Sequence, residues 1–204
     1  MPAIMVHPTA WLVDLDGTLY RPFPVKLAMG AELLLFGPRA LPIIRRFRRE
    51  HERLRQNLGH DVDSPFDMQV DRTAEALALR RDQVLAVVDT WMVQRPSRWI
   101  ARFPRTKLIA DIRAFRARGG RLALVSDYPA RTKLGALGLA DLFDVVVANG
   151  EPDGPRRLKP HPQGMLLAAS RLGVEPGQCL VVGDRDDADG AAARAAGMAF
   201  RRIR

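Results

Sequence analysis

Apolar and polar positions fall into short blocks along this chain, and the block lengths separate strands from helices. The run Ala10-Trp11-Leu12-Val13 is cut off at Asp14 and followed by Asp16-Gly17-Thr18. It is too short and too abruptly ended for a helix, so it predicts a buried strand. From Pro22 to about Pro104 the periodicity is helical. An apolar stretch from Val25 to Phe36 stops at Gly37-Pro38, and a second helix from Leu41 to Leu58 stops at Gly59. Asp71 to Leu79 and Asp82 to Gln94 are also periodic. In the latter Asp82 is the expected N-cap, Val84, Val87, Val88 and Trp91 form one stripe, and Arg95-Pro96 is expected to end the run.

After Phe103-Pro104 helix and strand alternate. Helices are predicted over Thr106 to Arg118, Ala130 to Leu137, Pro162 to Leu172 and Gly190 to Ala196. Strands are predicted over Leu122 to Val125, Asp144 to Val147, Cys179 to Val182 and Met198 to Arg202, with an irregular stretch from Asn149 to Arg157. Such alternation implies an α/β fold, a Rossmann-like parallel sheet core with helices on both faces and right-handed crossovers. The all-helical region then forms a cap inserted after the first strand, which divides the chain into a core of residues 1–20 and 104–204 and a cap of residues 21–103.

Composition narrows the class. The chain has 204 residues, 47% hydrophobic and 27% charged, which fits a folded globular protein and argues against disordered, collagen-like or coiled-coil chains. Its single cysteine, Cys179, forms no internal disulfide, and the start Met1-Pro2-Ala3-Ile4 has no signal-peptide pattern. A cytoplasmic protein without a membrane span is therefore expected. The net charge of +9 raises nucleic acid, an anionic membrane surface or an anionic substrate as partner without choosing among them. Only four of the 32 basic residues are lysine (Lys26, Lys107, Lys133, Lys159), which suggests a G+C-rich coding bias rather than a reason for the charge.

In a parallel sheet of this kind ligands bind at the carboxyl ends of the strands. The first strand ends in Asp14-Leu15-Asp16-Gly17-Thr18, the second in Ser126-Asp127, and a later one in Gly183-Asp184, with Asp186, Asp187 and Asp189 following; Lys159 stands just before a helix. Carboxylates, a hydroxyl and an ammonium should therefore meet at one edge. These four short motifs, in this order, resemble those of the haloacid dehalogenase-like hydrolase superfamily, and the helical insert is similar to the cap of its phosphoglycolate phosphatase and beta-phosphoglucomutase subgroup.

The resemblance implies a Mg²⁺-dependent phosphatase acting on a small phosphomonoester through an aspartyl-phosphate. Asp14 is the expected nucleophile, since a carboxylate attacks phosphorus when a divalent cation offsets the repulsion between anions. Asp16 is the expected acid toward the leaving alkoxide and base toward water. The resemblance makes Asp184 a direct metal ligand with the Asp14 carboxylate and the Asp16 carbonyl. Asp187 and Asp189 are both candidates to steady those ligands. Ser126, with backbone amides near Leu15 and Asp127, is expected to bind a phosphate oxygen, and Lys159 to offset charge; the other reading of Ser126 is a hydroxyl bonded locally.

A phosphomutase keeps the same motifs and is the alternative. A 2-haloacid dehalogenase needs neither Asp16 nor a metal, a phosphonate hydrolase lacks the second Asp, and a non-catalytic binding protein would not need the intact set. Nucleic acid is not the expected partner, and the sequence leaves the oligomeric state open. The arginines Arg39, Arg45, Arg46, Arg48, Arg49, Arg53 and Arg55 read as a solvated cap face, with attraction of a polyanionic substrate or docking on an anionic partner or membrane as other readings. The apolar Val25 to Phe36 stretch is expected to pack inside the cap, the other reading being the hydrophobic half of an interfacial site.

Overall fold

A computed structural model describes residues 8–57, 59 and 61–203. Met1 to Ile4, Leu58 and Arg204, which bear on the expectations above, lie outside the described residues. Five strands form one parallel sheet in the order β3-β2-β1-β4-β5, with β1 Ala10–Val13, β2 Arg121–Ser126, β3 Val145–Ala148, β4 Cys179–Gly183 and β5 Ala199–Arg202. Register is continuous across the centre, where Val13 lies opposite Leu124 on one side and Val182 on the other. Strand β1 is thus central, with the chain passing to β2 on one flank and β4 on the other, and its carboxyl end opens into the crevice this order creates.

The period of two divides the strand residues between two cores. Trp11 and Val13 pack with Leu122, Leu124 and Val182 under α6 (Thr106–Ala117) and α7 (Arg131–Ala136). Ala10 and Leu12 pack with Ala123, Val125 and Val181 under α8 (Gln163–Leu172) and α9 (Ala191–Ala195). With both faces covered, the strands can be apolar throughout, which is why they read as continuous runs.

Between β1 and α6 the chain is helical: α1 Pro22–Phe36, α2 Leu41–Asn57, α3 Pro65–Leu77, α4 Arg81–Val88 and α5 Arg95–Ile100. Phe47, Val70, Ala74, Val84 and Val88 form its separate apolar cluster. The two chain crossings into this region run side by side: Tyr20 bridges Pro104, Arg21 N–H donates to Phe103 C=O (2.9 Å) and Arg105 N–H to Leu19 C=O (2.9 Å).

Four expectations for the insert require correction. Helix α3 begins six residues before Asp71, because Ser64 accepts from Asp67 N–H and Pro65 fits the first helical position. Helix α4 is capped at Arg80, so Asp82 lies in its first turn rather than at the cap. The helical run continues past Arg95-Pro96, because a wide π-type turn over Asp89–Gln94 precedes α5 and relieves the clash a proline ring makes with the preceding turn. Helix α1, expected inside the insert, buries only Val25 completely and leaves Phe23, Leu27, Leu34, Leu35 and Phe36 exposed.

Candidate active site

The end of β1 presents Asp14, almost fully buried, to a lysine and two further carboxylates. Lys159 Nζ donates to Asp14 Oδ1 (2.6 Å), to Asp189 Oδ1 (2.7 Å) and to the Val125 carbonyl (3.3 Å). Thr18 Oγ1 donates to the other Asp14 oxygen, Oδ2, at 2.8 Å. Carboxylate oxygens of Asp14, Asp184 and Asp189 all lie within 4.8 Å of one another. Burial drives the Asp14 carboxyl up to about 7 against the pull of Lys159, with Asp189 adding to the rise. Burial and Asp189 raise Asp184 as well. Lys159 stays charged because Asp14, Asp189 and Asp127 overcome its desolvation.

Three close carboxylates facing one ammonium leave an excess of negative charge in a buried site. An all-oxygen donor set with that excess fits a hard divalent cation such as Mg²⁺, with Asp14, Asp184 and Asp189 as the carboxylates grouped closely enough to hold it. Local backbone explains the approach. Gly17 adopts φ +93°, and a Cβ there would collide with the Asp184 carboxylate; a Cβ at Gly183 would collide with that of Asp189. Glycine at both positions lets the carboxylates close on the turn after β1.

Asp16 is held apart from this cluster. Lys133 Nζ donates to both its oxygens (2.7 and 2.8 Å) and Tyr20 OH to Oδ1 (2.7 Å). Burial alone would raise its pKa, but Lys133 and Tyr20 outweigh it and hold the carboxyl below its ordinary value. The Ser126 hydroxyl is engaged locally, donating to Tyr128 C=O (2.8 Å) and accepting from Tyr128 N–H (3.1 Å), as in the second reading of that residue. Asp127 accepts from Lys159 N–H (3.2 Å) and faces His51 Nε2 at 3.9 Å. Asp187 points away and pairs with Arg185 at the surface, whereas Asp189 is buried in the cluster.

These groups line a cavity of about 120 Å³ whose helical side carries His51, Glu52 and Arg55 from α2. His51 stacks on Tyr128 (4.4 Å between ring centres), and burial lowers its pKa against the pull of Asp127. Arg55 Nε donates to the Lys159 carbonyl (2.8 Å) and its guanidinium to Glu52, tying α2 to the loop that carries the lysine. A larger open groove, about 750 Å³, runs between Asp63–Asp67 and Asn149–Arg156 and contains none of the clustered carboxylates.

Sequence reasoning missed Lys133, Tyr20, Thr18 and His51, and it placed Arg55 on a solvated cap face, whereas its side chain is buried against the Lys159 carbonyl. For Lys133 the signal existed: it is one of four lysines in a chain that otherwise uses arginine. His51 also had one, since Ile44, Phe47, His51 and Leu54 lie on a single buried stripe of α2.

Residues 9–197 match the family described as haloacid dehalogenase-like hydrolase. A protein of Nitrosospira multiformis named phosphoglycolate phosphatase is 32% identical over 197 residues, which covers 92% of this chain and 79% of that protein. One of the same name from Shigella boydii is 35% identical over 158 residues, covering 74% of this chain and 55% of its own length; the chain therefore spans little more than half of that relative. Among solved structures, a HAD phosphatase from Thermococcus onnurineus superimposes with a TM-score of 0.54 at 25% identity, covering 96% of this chain and 86% of that one. The L-2-haloacid dehalogenase of Xanthobacter autotrophicus does so with a TM-score of 0.65 at 19% identity, covering 96% and 77%, a likeness of fold.

Proposed function

The chain belongs to the haloacid dehalogenase-like hydrolases, and from that premise we propose that it is a divalent-cation-dependent phosphatase of small phosphomonoesters, with Asp14 as nucleophile. The observation that carries this reading is the Asp14 carboxylate, bonded to Lys159 at 2.6 Å and grouped with the carboxylates of Asp184 and Asp189 within 4.8 Å. Mg²⁺, held by Asp14, Asp184 and the Asp16 carbonyl, would neutralise charge between the two anions and orient the phosphoryl group. Lys159 favours the ionised form of Asp14 against the rise that burial imposes, and offsets charge on the incoming phosphoryl oxygens. Asp189 fixes the lysine from the other side.

Asp16 supplies the second carboxyl. Held by Lys133 and Tyr20, it rests as a carboxylate, ready to take a proton from water. Tyr20 bridges Pro104 where the chain crosses between core (residues 1–20 and 104–204) and cap (residues 21–103), so a hinge motion there changes the contacts of Asp16. That coupling links its acid and base states to opening and closing of the cap. Ser126 and the amide of Asp127 then bind a phosphoryl oxygen once the local Ser126 turn opens.

A cavity of about 120 Å³ admits a phosphoryl group and a short organic tail, which favours small substrates. The relatives named phosphoglycolate phosphatase make phosphoglycolate the first substrate to assay. The test is phosphate release from phosphoglycolate and a panel of other phosphomonoesters, with Mg²⁺ and with a chelator, by the wild type and by Asp14→Asn. Release that needs Mg²⁺ and is lost in the variant is expected. Halide release from 2-haloacids, with no phosphate from any ester, would overturn the reading.

A further inference from the structure

Helix α1 is built inside out. Its one acidic residue, Glu32, faces the protein, where Arg98 (2.7 Å), Arg95 (3.1 Å) and the Trp99 indole N–H (2.9 Å) donate to its carboxylate. Its opposite face carries Phe23, Leu27, Leu34 and Leu35, spaced at i, i+4, i+11 and i+12 with Gly30 and Ala31 between, so they form one stripe. These side chains are 66–78% exposed, as is Phe36 at the helix end. Of the six large apolar side chains exposed among the described residues, five belong to this helix. An apolar face of this size needs cover, and nothing described packs on this one.

The charge beside it indicates the cover. Lys26 lies at the margin of the stripe, Arg21 stands at its start, and Gly37-Pro38 turns the chain by 109° into α2, whose Arg45 and Arg49 are exposed one turn apart. The acids of α2 do not offset them: Glu50 is buried and pairs with Arg46 and Arg53, and Glu52 pairs with Arg55. A second copy would set this basic margin against itself in a two-fold contact. A surface that is apolar within and anionic at its boundary complements both features. At 15 residues α1 is too short to span a bilayer, and no single described helix is long and apolar enough to do so. It suits a position in the plane of the interface.

We propose that α1, with the basic start of α2, docks the protein on an anionic lipid surface. The stripe enters the boundary between headgroups and acyl chains while Lys26, Arg39, Arg45 and Arg49 meet lipid phosphates. The site lies outside the carboxylate cluster, so docking and catalysis are separable. The experiment is co-sedimentation of the full chain with vesicles of phosphatidylcholine alone or with a third phosphatidylglycerol, at about 0.1 and about 0.5 M salt, where screening lengths differ severalfold. Binding to the anionic vesicles is expected, weakened by salt and by R45E/R49E. It should fall at least about tenfold in L34E/L35E, since each large apolar side chain withdrawn from water carries roughly that factor.

Wild-type protein left in the supernatant with anionic vesicles at low salt would overturn the proposal, as would equal binding to neutral vesicles. So would a concentration-dependent dimer that L34E/L35E makes monomeric, without vesicle binding, because the stripe would then be covered by a second copy. Melting curves of the variants report folding. If L34E/L35E fails to fold, R45E/R49E decides: unchanged binding contradicts the proposal and loss supports it.

Discussion

Replacing Lys159 by methionine removes the ammonium bonded to both Asp14 and Asp189 while keeping the bulk of the side chain. In the wild type its ammonium sits 2.6 and 2.7 Å from those carboxylates, and all three groups are buried. Removing one partner from such a cluster costs about 3–5 kcal/mol, since the remaining charges stay out of water without compensation. Protonation relieves part of this, which gives the loss a pH signature. Asp14 already has a folded-state value near 7 against 3.8 for the free side chain. The stability it contributes is fully present below 3.8 and is lost as pH rises through about 7, where the wild-type curve should level off. Without the ammonium the folded-state values rise further, so the variant continues to lose stability above pH 7, at up to about 1.4 kcal/mol per pH unit for each proton involved. Urea unfolding followed by circular dichroism in a chelating buffer, from pH 6 to 9, measures both curves. A deficit under about 1 kcal/mol, or one that does not grow with pH, would refute the reasoning.

Three further substitutions test the parts around this cluster. Asp16→Ala should reduce kcat/KM for alkyl phosphates by about 10²-fold or more and for activated aryl phosphates far less, because an aryl oxide leaves without a proton; equal losses would remove the acid role. Lys133→Met should lower kcat roughly tenfold on both substrate types, because it frees Asp16 from its two bonds and removes the cation that keeps it a carboxylate able to take a proton from water; unchanged kinetics on both would make the pair purely structural. Gly17→Ala, at φ +93° and against the Asp184 carboxylate, should destabilise the protein by about 1–3 kcal/mol and weaken Mg²⁺ binding in calorimetry; unaltered Mg²⁺ affinity would separate Asp184 from the metal.

Much of the core was legible because burial on both faces turns each strand into a short apolar run ended by a polar residue, and each predicted strand lies within a residue or so of its place in the sheet. Asp14 and Asp184 were legible because they stand at strand ends, whereas Lys159 and Asp189 were legible through the resemblance carried by the four motifs in order. The insert was harder to read. A proline usually ends a helix, yet the wide turn over Asp89–Gln94 carries the run through Pro96. Periodicity also reports that α1 is apolar but not what covers it, so the expectation that it packs inside the cap failed for the stripe from Phe23 to Leu35. Asp187 and Asp189 are equivalent on paper; only the backbone after β4 turns the first toward Arg185 and the second toward Lys159. Lys133 reaches Asp16 across 117 residues of sequence, a contact no local pattern announces.

The central claim is that Asp14 becomes covalently phosphorylated during turnover. Wild-type protein mixed with phosphoglycolate and Mg²⁺, quenched in acid within one turnover and digested, should yield the peptide containing Asp14 heavier by one phosphoryl group. The adduct should vanish on treatment with hydroxylamine and be absent from Asp14→Asn, whose turnover should fall by several orders of magnitude. Phosphate release at a substantial rate with no such adduct at any quench time, even in Asp16→Ala where hydrolysis of the intermediate should be slow, would contradict the account.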